Sequence, residues 1–404
     1  MADDLIPARE ACRILGISAA TLYAYVSRGL LESRPGAEAR SRMYRRQDVE
    51  RLLQNKRAGR GAARGAAQSL DRGLPVMETR ISLIRPEGPY YRGRSAIAMV
   101  RDGASLEDTA RLLWDCEDDD PFQAPPAPWP AVVRAIAQDA ALPALERTLA
   151  VTPLLALQVR HSFNQSAQVR RQIAADLLRH NAALLIARAP DAAPVHLQVS
   201  QALCPGDPRF AELVRAALVL CADHELNVSA FAARVVASTG AHLHATVCSG
   251  LAALSGPRHG GATARAYAVI EGGAQALAQR WQHGEDLPGF GHALYPQGDP
   301  RAAELLALLR HADLPRMAQL EAVIARAGEV SGLQPNVDLM LAAICWLHGL
   351  PAAPALTLFA TGRLAGWLAH ALEQQSLGKL IRPRARYVGV ERGTSAVERG
   401  TRNE

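Results

Sequence analysis

Residues Leu254–Thr263 read LSGPRHGGAT, with one histidine, His259, set between Gly256-Pro257 and Gly260-Gly261. Glycines at such positions let backbone approach another group closely and permit positive φ. From Ala262 onward, the spacing of Ala264, Tyr267, Ala268 and Ile270 predicts a helix. His259 therefore precedes a helix N-terminus, whose positive end disfavours an imidazolium. A neutral imidazole there is a hydrogen-bond donor facing a glycine-lined space. The plain alternative is a turn between two helices that happens to contain a histidine.

The surrounding chain has 404 residues, long enough for two or three domains. Hydrophobic residues make up 49% and aromatics only 5%, an Ala- and Leu-rich balance that favours helices over strands. No uncharged apolar run reaches the length of a membrane span, and the acidic Met1-Ala2-Asp3-Asp4 start does not read as a signal peptide. The cysteines (Cys12, Cys116, Cys204, Cys221, Cys248, Cys345) are scattered without C-x-x-C spacing. That pattern fits a reduced, cytoplasmic setting and argues against zinc.

Charge divides unevenly. Residues 1–64 hold 13 Lys/Arg against 7 Asp/Glu, while the rest of the chain holds 32 of each. All of the +6 excess thus lies in the N-terminal segment, the footprint expected of a nucleic-acid-binding module on a neutral body. Residues 5–15 read as a short amphipathic helix with Ala8, Ala11, Cys12 and Leu15 on one face. Gly16-Ile17 turns, Ser18 caps a second helix over 19–28, and Gly29 ends it. Residues 30–44 read as an arginine-bearing hairpin wing around Pro35-Gly36, and 47–56 as a third helix. The pattern resembles the winged helix-turn-helix of MerR-type regulators and excisionases. That resemblance implies DNA contacts from Ser18, Ala20, Thr21 and Tyr23 on the major-groove helix, and from Arg42 and Arg45 in the wing. The structural alternative is a helical interaction module with a solvated basic face.

Residues 57–72, RAGRGAARGAAQSLDR, have no apolar period and read as a linker. Beyond them, 78–91 allow one short hairpin and 117–130 an acidic, proline-rich loop. Helical patterns then cover 105–115, 131–141, 143–160, 166–188, 209–222, 224–238, 241–254, 262–281, 300–311, 315–328, 336–347 and 354–375. The fold class is all-α.

Four clusters in this body carry chemistry. Asp223-His224-Glu225-Leu226-Asn227 reads as a helix opening, with His224 and Asn227 on one face. Val228 rules out an H-E-x-x-H zinc motif. The His259 loop is the second. The third is Leu287-Pro288-Gly289-Phe290-Gly291-His292, with Asp299-Pro300-Arg301 following; the fourth is Asn336-Val337-Asp338, a carboxylate in a helix's first turn. Each alone is open to a structural reading, as a cap or a turn.

Taken together, HELNVSAFAARV, SGPRHGGA, LPGFGHALY…DPR, PNVD, GRLAGWLAH and IRPRARYVG stand in the order and spacing of the citrate synthase family, which residues 73–390 resemble. The resemblance implies a large helical domain (73–255 and 345–392) and a smaller one (256–344), preceded by the helix-turn-helix (1–56) and followed by a tail (393–404). It implies metal-free condensation of acetyl-CoA or propionyl-CoA with oxaloacetate, the acyl-CoA being a co-substrate and no cofactor being permanently bound. By position, Asp338 is the expected base, His259 the enolate donor, and His292 the group polarising the oxoacid carbonyl. His224, Arg301 and Arg363 are expected to bind the oxoacid through two-to-two guanidinium–carboxylate pairs. Arg382 is expected to serve the partner subunit's site in a homodimer. Leu287, Pro288, Gly289, Phe290, Gly291 and Asn336 are expected against CoA. Thr263 and Ala293 depart from common family residues and leave substrate choice and CoA affinity open. A DNA-binding regulator whose body senses oxaloacetate, citrate or CoA, and a citryl-CoA lyase, are the alternatives.

Overall fold

The computed structural model describes residues 5–15, 22, 26, 33–35, 42–46, 48–49, 77–158 and 166–383. They belong to two units, Met1–Glu78 and Thr79–Glu404.

In the first unit, β1 (Leu5–Pro7) precedes α1 (Ala8–Leu15), and β2 (Arg34–Pro35) and β3 (Arg42–Arg45) follow. The strands order as β1-β3-β2, all antiparallel, with Ile6 opposite Tyr44 and Arg34 opposite Met43. The strand before α1 is a correction to a reading that began directly with a helix. Ile6, Ala11, Leu15, Leu22, Tyr44 and Val49 form the small core. Arg46 Nη2 donates to Glu10 Oε1 at 2.8 Å, tying the end of β3 to α1. Ser18, Ala20, Thr21 and Tyr23 lie outside the described residues.

The second unit opens with an antiparallel sheet of β4 (Ser82–Arg85), β5 (Gly88–Tyr91) and β6 (Arg94–Ser95), one strand more than the hairpin expected. The rest is helical: α2 (Ala96–Arg101), α3 (Leu106–Leu113), α4 (Ala131–Ala137), α5 (Ala144–Leu155), α6 (Ala167–Leu185), α7 (Val195–Leu203), α8 (Pro208–Cys221), α9 (Val228–Ser238), α10 (Leu243–Leu254), α11 (Gly261–Gln282), α12 (Pro300–His311), α13 (Met317–Ser331), α14 (Val337–Leu347) and α15 (Ala353–Leu377). The sequence reading missed α2 and α7. Local signals set most starts: Ser105 and Asp108 form a reciprocal capping box on α3, while Asp207-Pro208 and Asp299-Pro300 place a cap and an N1 proline on α8 and α12. Among the described residues, no helix is long and apolar enough to cross a membrane.

The 25-residue helix α15 runs through the core and packs on α8, α9 and α10. Its glycines permit this. A Cβ on Gly362 would sit 2.6 Å from Leu218 O, and one on Gly366 2.3 Å from Ala222 O. Trp367 packs where a Cβ on Gly250 of α10 would meet its ring at 2.6 Å. Close crossing at α8's C-terminal end brings Arg363 onto the carbonyl of Cys221, where Nε donates at 2.8 Å. The backbone geometry of α15 thus places a buried cation beside the clusters read from the sequence.

Candidate active site

The Asp223–Asn227 segment is not helical. Glu225 has φ 57°, Asn227 is the N-cap of α9, and its Oδ1 accepts from Ala230 N at 2.9 Å. This corrects the expected shared helix face of His224 and Asn227. Asp223, fully buried, accepts from Ser82 Oγ at 2.5 Å and Glu225 N at 3.1 Å, and lies 3.2 Å from His370 Nε2. Arg234 Nη1 stands 3.3 Å from His370 Nδ1 and can only donate, so His370 carries its proton on Nε2 and donates it to Asp223. Burial opposes ionisation of Asp223, but His370, Arg363 and Ser82 together hold its carboxyl below the usual range. The segment holding His224 is therefore anchored by a buried, ionised carboxylate.

His224 itself is neutral: burial first, then Arg301, Arg363 and His292, push it far below the ordinary histidine range. Its Nε2 lies 3.1 Å from the Tyr295 hydroxyl, and its ring meets those of His292 (5.2 Å) and Tyr295 (5.5 Å) edge-on. Tyr295 is buried, its phenol pushed up to about 12 by burial, so it is a neutral hydroxyl. His292 Nδ1 accepts from Leu294 N at 3.1 Å. His292 Nε2 stands 3.4 Å from Arg301 Nη2, so both ring nitrogens face N–H donors. Burial and Arg301 hold His292 below its ordinary value.

Arg301 is buried at the start of α12, with Nε and Nη2 both on the Asp299 carboxylate at 3.0 and 2.8 Å. This edge is already paired, so the edge carrying Nη1 is what remains for an anion. Arg363 differs: Nε is on Cys221 O, and Nη1 is buried without a hydrogen-bond partner among the described residues. An unpartnered buried N–H is costly, and a carboxylate would satisfy it. Burial keeps the Cys221 thiol at about 12, so it is no nucleophile.

His259 lies in the turn between α10 and α11. Gly260 N donates to Leu254 O at 3.0 Å, and a Cβ on Gly260 would lie 2.2 Å from that oxygen. The glycine is there for close approach; its φ is −64°, not positive. The imidazole is pushed down to about 4, by burial and then by the Arg363 guanidinium, so the neutral state stands on those causes rather than on the helix dipole. His259 Nε2 is 2.8 Å from Ser229 Oγ, and Ser229 Oγ is 3.0 Å from Asn227 Oδ1. Its ring stands edge-on to Phe359 at 5.7 Å, and the Arg363 guanidinium lies over the same phenyl ring at 4.8 Å.

Asp338 occupies the first turn of α14, whose opening N–H groups are all met: Val337 N by Asp299 Oδ2 (3.1 Å), and Asp338 N and Leu339 N by Asn336 Oδ1 (3.0 and 3.3 Å). Asn336, not Asp338, is the cap. Its Nδ2 donates to Gly291 O at 2.9 Å and its N to Gly289 O at 2.9 Å, fastening the Gly289–Gly291 loop to the helix start. Gly289 (φ 90°) and Gly291 (φ 74°) use glycine's freedom, and a Cβ on Gly289 would also strike Leu339 Cδ1 at 2.8 Å. Leu287 and Phe290 are buried in the core; Pro288 and Gly291 are half-buried. The Asp338 carboxylate makes no hydrogen bond among the described residues. Burial pushes it up to about 6, against Arg301 and with Asp299.

The fold thus gathers His224, His292, Arg301, Asp338 and Arg363, with His259 joined through Phe359 and Arg363. Arg382, past the end of α15, is exposed and makes no hydrogen bond or ion pair among the described residues. Sequence reasoning missed Ser229, Tyr295, His370 and the work of Asp299. Asp299-Pro300 was legible as a cap; the others are serviceable residue types that only the fold brings to the site. Among the described residues, no group of three His, Cys, Asp or Glu is set to hold a metal ion.

The family model for "Citrate synthase, C-terminal domain" matches residues 69–384, and a "Helix-turn-helix domain" model matches residues 8–57. A relative named citrate synthase from Haloferax volcanii is 39% identical over 192 residues, 45% of this chain and 51% of that protein. One named 2-methylcitrate synthase from Mycobacterium tuberculosis is 33% identical over 203 residues, 47% of this chain and 52% of that protein. The chain spans about half the length of the curated relatives it matches. The fold is similar to that of citrate synthase from Thermoplasma acidophilum in a ternary complex with carboxymethyl coenzyme A and oxaloacetate, at TM-score 0.66 and 22% identity, over 82% of this chain and 98% of that one.

Proposed function

The chain belongs to the citrate synthase family, and from that membership we propose that it condenses acetyl-CoA or propionyl-CoA with oxaloacetate, releasing CoA and citrate or 2-methylcitrate. One observation carries the reading: a carboxyl held near 6, Asp338, lies within the field of two buried arginines, Arg301 and Arg363. Ordinarily such cations would depress it. A base poised near neutrality beside two buried guanidinium groups suits removal of a weakly acidic α-proton.

In this reading Asp338 takes the α-proton of the acyl group. His259 donates to the thioester oxygen as it becomes an enolate, its ring held in place by Ser229. The enolate carbon attacks the oxaloacetate carbonyl, polarised by His292. Arg363 Nη1, Arg301 Nη1 and His224 hold the two carboxylates. Water then cleaves the thioester. The backbone of Leu287–Gly291 and Asn336 would face CoA, and a smaller domain over 256–344 would close on the larger one to exclude water. A homodimer would supply Arg382 to the partner's site. Release of free thiol with oxaloacetate and either acyl-CoA tests the reaction; no turnover with either pair in folded protein would overturn it.

The helix-turn-helix match favours a second activity, DNA binding by the N-terminal unit. Arg42 is exposed on β3 and Arg45 is half-buried there, the placement expected for phosphate contacts by a wing. Affinity of the full chain for duplex DNA should fall steeply with salt, and Arg42→Ala should reduce the logarithmic salt slope by about 1. Absence of binding at low salt would end this reading.

A further inference from the structure

We propose that Asp299 is a positioning residue that fixes the spacing and charge balance between the oxoacid arginine and the base, without itself touching substrate. The inference rests on the roles given above to Arg301 and Asp338.

One carboxylate makes four bonds to two elements. Oδ1 accepts from Arg301 N (3.1 Å) and Nε (3.0 Å), and Oδ2 from Arg301 Nη2 (2.8 Å) and Val337 N (3.1 Å). Arg301 is the second residue of α12, and Val337 the first of α14, next to Asp338. Two helix N-termini are thus joined through a single buried group. Asp299 also solves a local conflict. A guanidinium in a helix's first turn opposes the positive end of the dipole, and the capping carboxylate supplies the compensating charge. Because it occupies the Nε–Nη2 edge, it also determines that Arg301 meets its ligand through Nη1.

The charges facing Asp338 come from three elements, Asp299 and Arg301 at the start of α12, Arg363 on α15 and Arg265 on α11, and the neutral Cys221 thiol at the end of α8 is the other titratable group there. Asp299 is the carboxylate among them. Removing its charge leaves Arg301 uncompensated, and both changes favour ionised Asp338. The acid limb of the rate profile must therefore move to lower pH.

Asp299→Asn keeps the shape and one of the two acceptor oxygens, and removes the charge. It is expected to lower kcat roughly tenfold and to move the acid limb of kcat/KM down by about one pH unit. Val337→Pro removes the N–H that bonds Asp299 at a first helical position that accepts proline, and Val337→Ala serves as the control for the buried side chain lost with it; relative to that control it should lower kcat several-fold with the limb unmoved. Loss of rate in Asp299→Asn with an unmoved limb would assign Asp299 a merely structural role, and a kcat in Val337→Pro equal to that of Val337→Ala would overturn the link between the helices. Should Asp299→Asn fail to fold, Val337→Pro against Val337→Ala decides. Should the wild type show no turnover, the proposed reaction fails separately, and carboxyl carbon NMR of Asp338, assigned against Asp338→Asn, still reads the shift on replacing Asp299.

Discussion

His259 Nε2 lies 2.8 Å from the Ser229 hydroxyl, joining two stretches that stand 30 residues apart in the chain. Ser229 is fixed by α9, because Asn227 caps that helix and meets the serine side chain at 3.0 Å. The hydroxyl has one proton to give. In the structure it goes to Asn227 Oδ1, so Oγ accepts from His259 Nε2–H and holds the imidazole in place. Ser229→Ala should therefore lower kcat by about 10- to 100-fold while leaving the KM for oxaloacetate close to wild type. Steady-state kinetics with each substrate varied in turn checks this; a raised oxaloacetate KM with normal kcat would refute the positioning role.

Asp338 destabilises the fold where it serves the reaction. Its folded-state pKa, about 6, lies above its ordinary value of 3.8. The protonated form is the one the fold prefers, so its contribution is intact below about pH 4 and lost as pH rises through about 6. Asp338→Asn avoids that loss. Denaturant unfolding should find the variant equal to wild type near pH 4, and more stable by roughly 2 kcal/mol above pH 7, after allowance for solvent screening at a half-buried group. Equal stability at both pH values would contradict the raised pKa.

The two sides of the His259 loop should respond differently to a methyl group. Gly260→Ala forces a Cβ to 2.2 Å from Leu254 O, so the turn must shift and lose its bond to that oxygen. We expect about 1–3 kcal/mol of lost stability and at least about a tenfold loss in kcat. Gly256→Ala meets only Ala253 O at an ordinary 3.6 Å and should be nearly neutral. Thermal unfolding and kcat of the pair decide whether close packing, rather than positive φ, is why the loop is glycine-rich.

Much of this was legible from the chain. The apolar spacing and caps of α12 and α14 placed Arg301 and Asp338 in first helical turns, and composition placed the body among helical folds. Other features were not. The Asp223–Asn227 stretch has helix-compatible residues, yet a buried carboxylate held by Ser82 and His370 from distant elements keeps it out of a helix, with Glu225 at positive φ. The neutral state of His259 followed from the dipole argument, but burial and Arg363 are its main causes, and neither is visible before the fold is closed. The pairing of Arg301 with Asp299 was hidden for another reason: adjacency in sequence does not tell whether a side chain folds back onto its own cap or reaches for a ligand.

The central claim is that Asp338 is the base of an acyl-CoA–oxaloacetate condensation. The most direct measurement is thiol release by wild type and Asp338→Asn at pH 8, with calorimetric titration of oxaloacetate into both. The account predicts turnover in the wild type, its loss by at least about 10³-fold in the variant, and similar oxaloacetate affinity in each. Near-wild-type turnover by Asp338→Asn, with binding intact, would contradict it.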